Sequence, residues 1–215
     1  MSHYKLLLFD LDDTLYPRSS GVMYRISDRI TQYLTEHMGV PEAQAQATRK
    51  HFRGTYGTAL RGLMEEGYSV DLEHYLSYVH DVALDGTLIP DPQVRAMLMS
   101  FNLRRGILTN SNIEHADRIL KHLQIEDCFE QVVDIRALNF LGKPDVTAYE
   151  RTLALYGVQP NEVIFIEDTP INTKPAKAMG MTTILVDHLP TEDADFCVPL
   201  LMDVQPVIEQ LIQHA

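Results

Sequence analysis

Helical patterns and short apolar runs alternate through the second half of the chain, and this alternation is the feature that most limits its fold. The predicted pairs are helix 93–101 with strand 106–109, helix 113–123 with strand 132–134, helix 145–156 with strand 163–167, and helix 172–179 with strand 183–186. Residues 196–201 and 204–213 suggest a last strand and a closing helix. Repeated alternation with short connections predicts an α/β fold with a doubly wound, Rossmann-like parallel sheet.

A further strand is predicted near the start of the chain, in the segment KLLLFDLDDTL. Four apolar residues, 6–9, are typical of a strand that is buried on both faces, and Asp10, Asp12 and Thr14 follow them. In open α/β sheets, ligands bind outside the carboxyl ends of the strands. Since residues two apart on a strand share a face, we expect Asp10 and Asp12 to point into one crevice.

Residues 16–88 show a helical pattern and no convincing strand, so we predict a small α-helical cap domain inserted after the first strand. Apolar residues recur every three or four positions at Val22, Ile26, Ile30, Tyr33 and Leu34. Further helices are expected from Pro41 and over 57–66 and 71–84. The α/β core would then comprise residues 1–15 and 89–215.

Charge and composition exclude several classes of partner. The formal net charge of −12 argues against binding to nucleic-acid polymers or to an anionic membrane surface. Apolar runs are too short for a membrane span, and the start of the chain lacks the apolar segment of a signal peptide. Two cysteines make no disulfide framework, so we expect a reduced, cytoplasmic protein that is a monomer or a homodimer.

Polar residues follow four of the predicted strands, and a parallel sheet would bring these positions to one edge. They are Asp10 with Asp12, Thr109 with Asn110, Lys143 with Pro144 in a loop after the third strand, and Glu167 with Asp168. Each alone has a plain structural explanation, as a turn, a helix cap, a solvated lysine or helix-terminal acids. Their joint occurrence in this order makes a functional site the better hypothesis.

This order of motifs, with Asn172 after the fourth, resembles the haloacid dehalogenase-like (HAD) superfamily of phosphohydrolases. The stretches HFRGTYGTALRGLMEEG, YLSYVHD, IPDPQVRAML, TNSNIEHADRIL and FIEDTPIN resemble its pyrimidine 5'-nucleotidase branch, over residues 4–187. The resemblance implies a phosphatase core with a helical cap, and it extends over most of the chain.

The resemblance assigns catalytic roles that also make chemical sense. Asp10 would be the nucleophile that forms an aspartyl-phosphate, and Asp12 the general acid and base, provided that its neighbours raise its pKa. Thr109 and the main-chain N–H of Asn110 would bind the phosphoryl group, and Lys143 would neutralise its charge. The dehalogenases of the superfamily lack an acid at the position of Asp12, so this residue favours phosphoryl transfer.

The resemblance also implies a cofactor, Mg²⁺, held by the carboxylates of Asp10 and Asp168 and by the main-chain carbonyl of Asp12. Glu167 stands where many relatives have glycine or aspartate, and a contact through a metal-bound water is one interpretation of its role. Asp13 should face away from the crevice, so we assign it no chemistry. Pro175 is expected in the first turn of its helix, where a missing N–H is tolerated.

Substrate selectivity should come from the cap, where Arg53, Tyr56, Gly57 and Thr58 follow one another around a predicted helix start. These residues are candidates for contacts to a base or a ribose. Packing is the alternative for Tyr56, and a surface ion pair for Arg53. Tyr16 and Arg18 are lesser candidates, and His80 and His115 are interpreted as structural.

Together these arguments predict a Mg²⁺-dependent phosphomonoesterase acting on pyrimidine nucleoside 5'-monophosphates, with a small-molecule phosphate monoester as its partner. Two alternatives stay open. One is a phosphatase or phosphomutase for a sugar phosphate or phosphoglycolate. The other is a non-catalytic module that binds a nucleotide or a partner through the same crevice.

Overall fold

The computed structural model describes residues 3–214, and its centre is a six-stranded parallel sheet. The strands are β1 (Leu6–Phe9), β2 (Arg104–Leu108), β3 (Gln131–Val133), β4 (Val163–Glu167), β5 (Thr182–Val186) and β6 (Phe196–Val198). Their order is β3-β2-β1-β4-β5-β6, and every neighbouring pair is parallel. The predicted α/β class and parallel sheet are therefore confirmed.

The helices fall into two groups along the chain. Those between β1 and β2 are α1 (Val22–Glu36), α2 (Glu42–Tyr56), α3 (Ala59–Glu65), α4 (Leu72–His80) and α5 (Pro92–Ser100). Those after β2 are α6 (Ile113–Leu123), α7 (Val146–Tyr156), α8 (Pro170–Ala178) and α9 (Val204–His214). None of the helices in the described part of the chain is long and apolar enough to cross a membrane.

Helices cover both faces of the sheet, because alternate residues of a strand point to opposite sides. Leu7 and Phe9 belong to a hydrophobic cluster with α5, α6 and α9. Leu6 and Leu8 belong to a second cluster with α7 and α8. All four side chains of β1 are fully buried, as expected for a strand in the middle of a doubly wound sheet.

A third hydrophobic cluster joins α1 to α4 and forms the interior of the cap. Helix α1 takes part in two clusters, since Val22 and Ile26 pack in the core while Tyr33 and Leu34 pack in the cap. After α4 the chain rejoins the core cluster at Val82. The helix expected over 71–84 ends at His80, where Arg118 of α6 donates hydrogen bonds to the carbonyls of His80 and Val82.

The predicted start of helix α8, and with it the predicted place of Pro175, was also wrong. Helix α8 begins at Pro170, two residues earlier than expected, so Pro175 lies inside the helix and not in its first turn. The helix starts earlier because the N–H groups of Asn172 and Thr173 both donate hydrogen bonds to the carbonyl of Thr169.

Position 106 of β2 requires glycine because the aromatic ring of Tyr156 covers it. A Cβ atom there would lie 2.0 Å from the hydroxyl oxygen of Tyr156, which donates a hydrogen bond of 2.7 Å to the carbonyl of Gln131. We expect Gly106→Ala to lower the free energy of unfolding by about 1–3 kcal/mol, the usual effect of overpacking a core. Urea denaturation followed by circular dichroism measures it.

Gly54 provides the matched control, since it is exposed in α2 and a Cβ there meets nothing within 4 Å. Gly54→Ala should raise the free energy of unfolding by up to about 1 kcal/mol through helix propensity. Equal stability of Gly106→Ala and the unsubstituted protein would contradict the packing described for Tyr156.

Candidate active site

The strand ends converge as expected and form the floor of a cavity of about 670 Å³ whose roof is the cap. The predicted residues that line it are Asp10, Asp12, Thr109, Asn110, Lys143, Asp168, Arg53, Gly57 and Thr58. Tyr56 is not among the lining residues; its ring packs near that of Phe52, 6.4 Å between centroids. The topology thus brings the four core motifs together with three of the four cap candidates.

A buried ion triad organises the floor. The Lys143 ammonium lies 2.6 Å from Oδ1 of Asp10 and 2.7 Å from Oε2 of Glu167, and its side chain is 1% exposed. The side chain of Asn110 holds the main chain of Lys143 by accepting from its N–H and donating to its carbonyl, both at 2.8 Å. Asn110 therefore positions the lysine, in addition to the phosphoryl contact predicted for its own main chain.

Glu167 is the second carboxylate of this ion triad. Its Oε2 atom accepts from Lys143 and from the Asn172 amide at 3.2 Å, and its Oε1 atom accepts the main-chain N–H groups of Asp168 and Thr169. Burial and the nearby Asp10 raise the pKa of Glu167 above its ordinary value, against the attraction of Lys143. With four donors around its carboxylate, Glu167 is built to hold Lys143 in place.

Asp10 is buried and points toward the cavity between two donors. Its Oδ1 atom accepts from Lys143, and its Oδ2 atom accepts from the Thr14 hydroxyl at 3.0 Å. Burial raises the pKa of Asp10 to about 6; Lys143 opposes this shift, and Asp168 and Asp12 reinforce it. Nearby positive charge would favour the ionised carboxylate, which is the form that can act as a nucleophile.

The carboxylate of Asp12 has three donors. Tyr16 and His115 donate to Oδ1 at 2.6 and 2.8 Å, and Ser111 donates to Oδ2 at 2.7 Å. Burial raises the pKa of Asp12, but the charge and hydrogen bond of His115, with the hydroxyls of Tyr16 and Ser111, outweigh burial and hold that pKa below its ordinary value. The condition attached to the acid and base role, that neighbours raise the pKa of Asp12, is therefore not met in the site without substrate.

Two of these donors were missed or misjudged from the sequence. His115 was interpreted as structural, and Ser111 was given no role. The available signal was their spacing: Ser111 and His115 are four residues apart around the start of α6, so both can face the same neighbour. Tyr16, a lesser candidate, contacts Asp12 directly.

The floor also carries an acidic cluster that suits a cation. Carboxylate oxygens of Asp10, Glu167 and Asp168 lie within 4.8 Å of one another. Among residues 3–213, Lys143 is the one lysine or arginine that is buried. Arg18 lies 2.7 Å from Oδ2 of Asp168, but its side chain is 60% exposed. This excess of buried negative charge fits an oxygen-ligated divalent cation.

Local contacts define the positions of three further candidates, namely Thr109 in the floor and Thr58 and Gly57 in the cap. The Thr109 oxygen accepts the N–H of Ser111 at 3.0 Å, which leaves its hydroxyl proton to donate into the cavity. Thr58 accepts the N–H of Arg61 as the N-cap of α3. Gly57 has a φ of +85°, and a Cβ there would lie 2.3 Å from Cδ of Pro144, so this glycine allows the cap to touch the Lys143 loop.

Comparison with known proteins identifies similar sequences. A family model described as haloacid dehalogenase-like hydrolase matches residues 4–180. Phosphate metabolism protein 8 of Saccharomyces cerevisiae is 25% identical over 195 residues, which cover 84% of this chain and 61% of the yeast protein. Glyceraldehyde 3-phosphate phosphatase of Methanocaldococcus jannaschii is 23% identical, covering 96% of this chain and 98% of that protein.

Solved structures share the fold. The crystal structure of a HAD phosphatase from Thermococcus onnurineus superposes with a TM-score of 0.63 at 19% identity, covering 95% of this chain and 97% of the other. At this identity the likeness concerns the fold, namely the parallel sheet and the helices around it.

Asp13 lines the cavity, whereas its side chain was expected to face away from the crevice, and it offers a test of the electrostatics of the floor. Its φ is +60°, which asparagine also tolerates, and its Oδ1 atom is buried without a hydrogen-bond partner among the described residues. Burial raises the pKa of Asp13 to about 7, with repulsion from Asp168 adding to the shift and Arg18 opposing it.

A carboxyl whose pKa is raised on folding binds its proton more tightly in the folded state, so stability falls as pH rises from about 4 to about 7. We therefore expect Asp13→Asn to be more stable than the unsubstituted protein above pH 7, with the difference vanishing near pH 4. Thermal unfolding in EDTA across this range measures the difference. A gap that widened toward acid pH would contradict the burial argument.

Proposed function

The chain belongs to the haloacid dehalogenase-like hydrolase family, and we propose that it is a Mg²⁺-dependent phosphatase that hydrolyses small phosphate monoesters through an aspartyl-phosphate on Asp10. The observation that carries the proposal is the pair of carboxylates that follows β1, with Asp10 buried and the side chain of Asp12 only 10% exposed. Asp10 lies against Lys143, and Asp12 is held by three hydrogen-bond donors. In the proposed mechanism, Asp10 attacks phosphorus and Asp12 transfers a proton.

The proposed reaction has two steps. In the first, an Asp10 oxygen bonds to phosphorus while the bond to the leaving oxygen breaks, and Asp12 gives that oxygen a proton. The dianionic phosphate raises the proton affinity of Asp12, whose pKa is low without it. In the second step, Asp12 takes a proton from water, the water oxygen attacks phosphorus, and Asp10 is released with inorganic phosphate.

Charge neutralisation is the task of the remaining floor residues. Lys143 and the hydroxyl of Thr109 would contact the phosphoryl oxygens. We propose that Asp10, Asp168 and the main-chain carbonyl of Asp12 hold Mg²⁺. When bound, the ion would supply positive charge that offsets the repulsion between the phosphate and the carboxylates.

Dehalogenation is the other chemistry in the name of the family, and Asp12 argues against it. A departing halide needs no proton, whereas an alkoxide needs one. A carboxylate such as Asp12, which is held by three donors beside the proposed nucleophile, therefore has a use in phosphate ester hydrolysis, and a dehalogenase has no comparable need for it.

For the substrate we propose pyrimidine nucleoside 5'-monophosphates, as the sequence resemblance implied. Arg49 and Arg53 of α2 line the cavity, and neither forms an ion pair with a carboxylate among residues 3–214. Burial and the neighbouring Arg53 lower the pKa of Arg49, whose Nε donates to Thr31 at 3.1 Å. Guanidinium donors in this position suit the carbonyl oxygens of a pyrimidine ring.

A triose or sugar phosphate is the second candidate substrate. The relative named glyceraldehyde 3-phosphate phosphatase, which matches over nearly its full length, supports it. A small polar leaving group would leave part of the 670 Å³ cavity to water.

A phosphate-release panel tests both candidates. We expect turnover of UMP and CMP above that of AMP, glyceraldehyde 3-phosphate and phosphoglycolate, loss of turnover in EDTA, and its return with Mg²⁺. Asp10→Asn should lower kcat by at least about 10⁴-fold while UMP still binds, because the amide cannot form the acyl phosphate. Turnover of sugar phosphates without UMP or CMP would reject the nucleotide proposal; turnover retained by Asp10→Asn would reject the mechanism.

Metal binding can be tested without activity. Mg²⁺ should raise the melting temperature at pH 7.5, and less so at pH 5, where protons compete for carboxyl groups of raised pKa such as Asp10. Asp168→Asn should abolish the Mg²⁺-dependent shift.

Asp187→Asn is the control for this substitution, because Asp187 also lies near Arg18, at 3.8 Å, but is outside the acidic cluster. It should keep the Mg²⁺-dependent shift in melting temperature. A shift that persists in Asp168→Asn would contradict the proposed ligand set.

A further inference from the structure

His115 is a buried histidine, and the stability of the fold does not explain why a histidine occupies this position. The residue lies in the first turn of α6, its side chain has no exposed surface, and its Nδ1 atom has no hydrogen-bond partner among residues 3–214. An apolar side chain would fill this place without burying an unpaired polar nitrogen. The hydrogen bond of 2.8 Å between its Nε2 atom and Oδ1 of Asp12 is the contact that distinguishes it from such a side chain.

The distribution of hydrogen bonds between the two carboxylate oxygens of Asp12 indicates the effect of the bond from His115. A carboxylate oxygen accepts about two hydrogen bonds. Oδ1 of Asp12 has two donors, Tyr16 and His115, whereas Oδ2 has one, Ser111. Oδ1 is therefore fully used, and Oδ2 keeps one lone pair for a reacting group.

The cap supports the imidazole from its other side. The ring of His80, at the end of α4, packs against that of His115 with 4.8 Å between centroids and 32° between planes. The Nδ1–H of His80 donates to the carbonyl of Leu76 at 2.8 Å, which fixes the His80 ring on its own helix. The orientation of His115 thus depends on contacts from both the core and the cap.

We propose that His115 is a positioning residue for Asp12: with Tyr16 it occupies Oδ1 and turns Oδ2 toward the leaving oxygen of the substrate. The proposal rests on the proposed function, because it gives a role to a residue that acts through the general acid and base. Loss of the Nε2–H donor should impair the protonation of the leaving group more than the binding of substrate.

Two aryl phosphates that differ in their leaving groups test this role. Phenolate leaves poorly without a proton, whereas 4-nitrophenolate is a stable anion. We compare kcat/KM for phenyl phosphate and 4-nitrophenyl phosphate, with Mg²⁺ present, in four variants. His115→Phe and His115→Met fill the site without a donor, His115→Gln keeps an N–H at similar reach, and Asp12→Asn removes the acid itself.

For the donor-free variants we expect kcat/KM for phenyl phosphate to fall by roughly ten- to hundredfold, the rate equivalent of one hydrogen bond to a charged group. The value for 4-nitrophenyl phosphate should fall much less, KM should change little, and His115→Gln should recover most of the loss. Asp12→Asn should show the same preference for the better leaving group, to a larger extent.

His122→Phe is the matched control. His122 lies on the same helix two turns later, is partly exposed, and contacts the carbonyl of Arg118 and the side chain of Asp85, so it should behave as the unsubstituted protein. Melting temperatures establish that each variant is folded.

Three results would overturn the role of His115: donor-free variants that match His122→Phe, equal losses on both substrates, or no recovery with His115→Gln. Each of these leaves the proposed function intact, since the unsubstituted protein still turns over both esters. If the unsubstituted protein hydrolyses neither ester nor any member of the phosphate panel, the proposed function itself fails, and the role of His115 with it.

Discussion

The ion triad of Lys143 with Asp10 and Glu167 is the interaction on which the rest of the active site depends. A buried ammonium group is tolerable when opposite charges surround it at hydrogen-bond distance, and here two carboxylates at the ends of the adjacent strands β1 and β4 do so. Burial alone would lower the pKa of Lys143; the two carboxylates raise it above its ordinary value instead. The charged lysine in turn sets the position of Asp10, the proposed nucleophile.

Asp10 and Asp12 show how one strand end can hold two carboxylates in different electrostatic surroundings. They are two residues apart, yet burial and neighbouring acids raise the pKa of Asp10, whereas His115 and two hydroxyls lower that of Asp12. This order is the reverse of the one that a nucleophile and a general acid need, since the acid should have the higher pKa. The proposed roles therefore depend on bound charge: a cation near Asp10 would keep that carboxylate ionised, and the dianionic phosphate would raise the proton affinity of Asp12.

Local sequence patterns were a good guide wherever the physics is local. The apolar run before Asp10, the alternation of helices and strands, and the polar residues at strand ends all follow from periodicity and turn chemistry, and the sheet brings those ends together. The pattern failed where a distant contact decides: the end of α4 is set by Arg118, and the pKa of Asp12 by His115, 103 residues away.

The sequence by itself determined the fold class and the set of chemistry-bearing residues at the sheet edge, because both depend on the order and spacing of residue types along the chain. The tertiary structure decided how those residues are used. It made Glu167 a partner of Lys143, turned Asn110 toward the lysine main chain and directed His115 to Asp12. Electrostatic interactions depend on distance and burial, and only the packed sheet, helices and cap establish either.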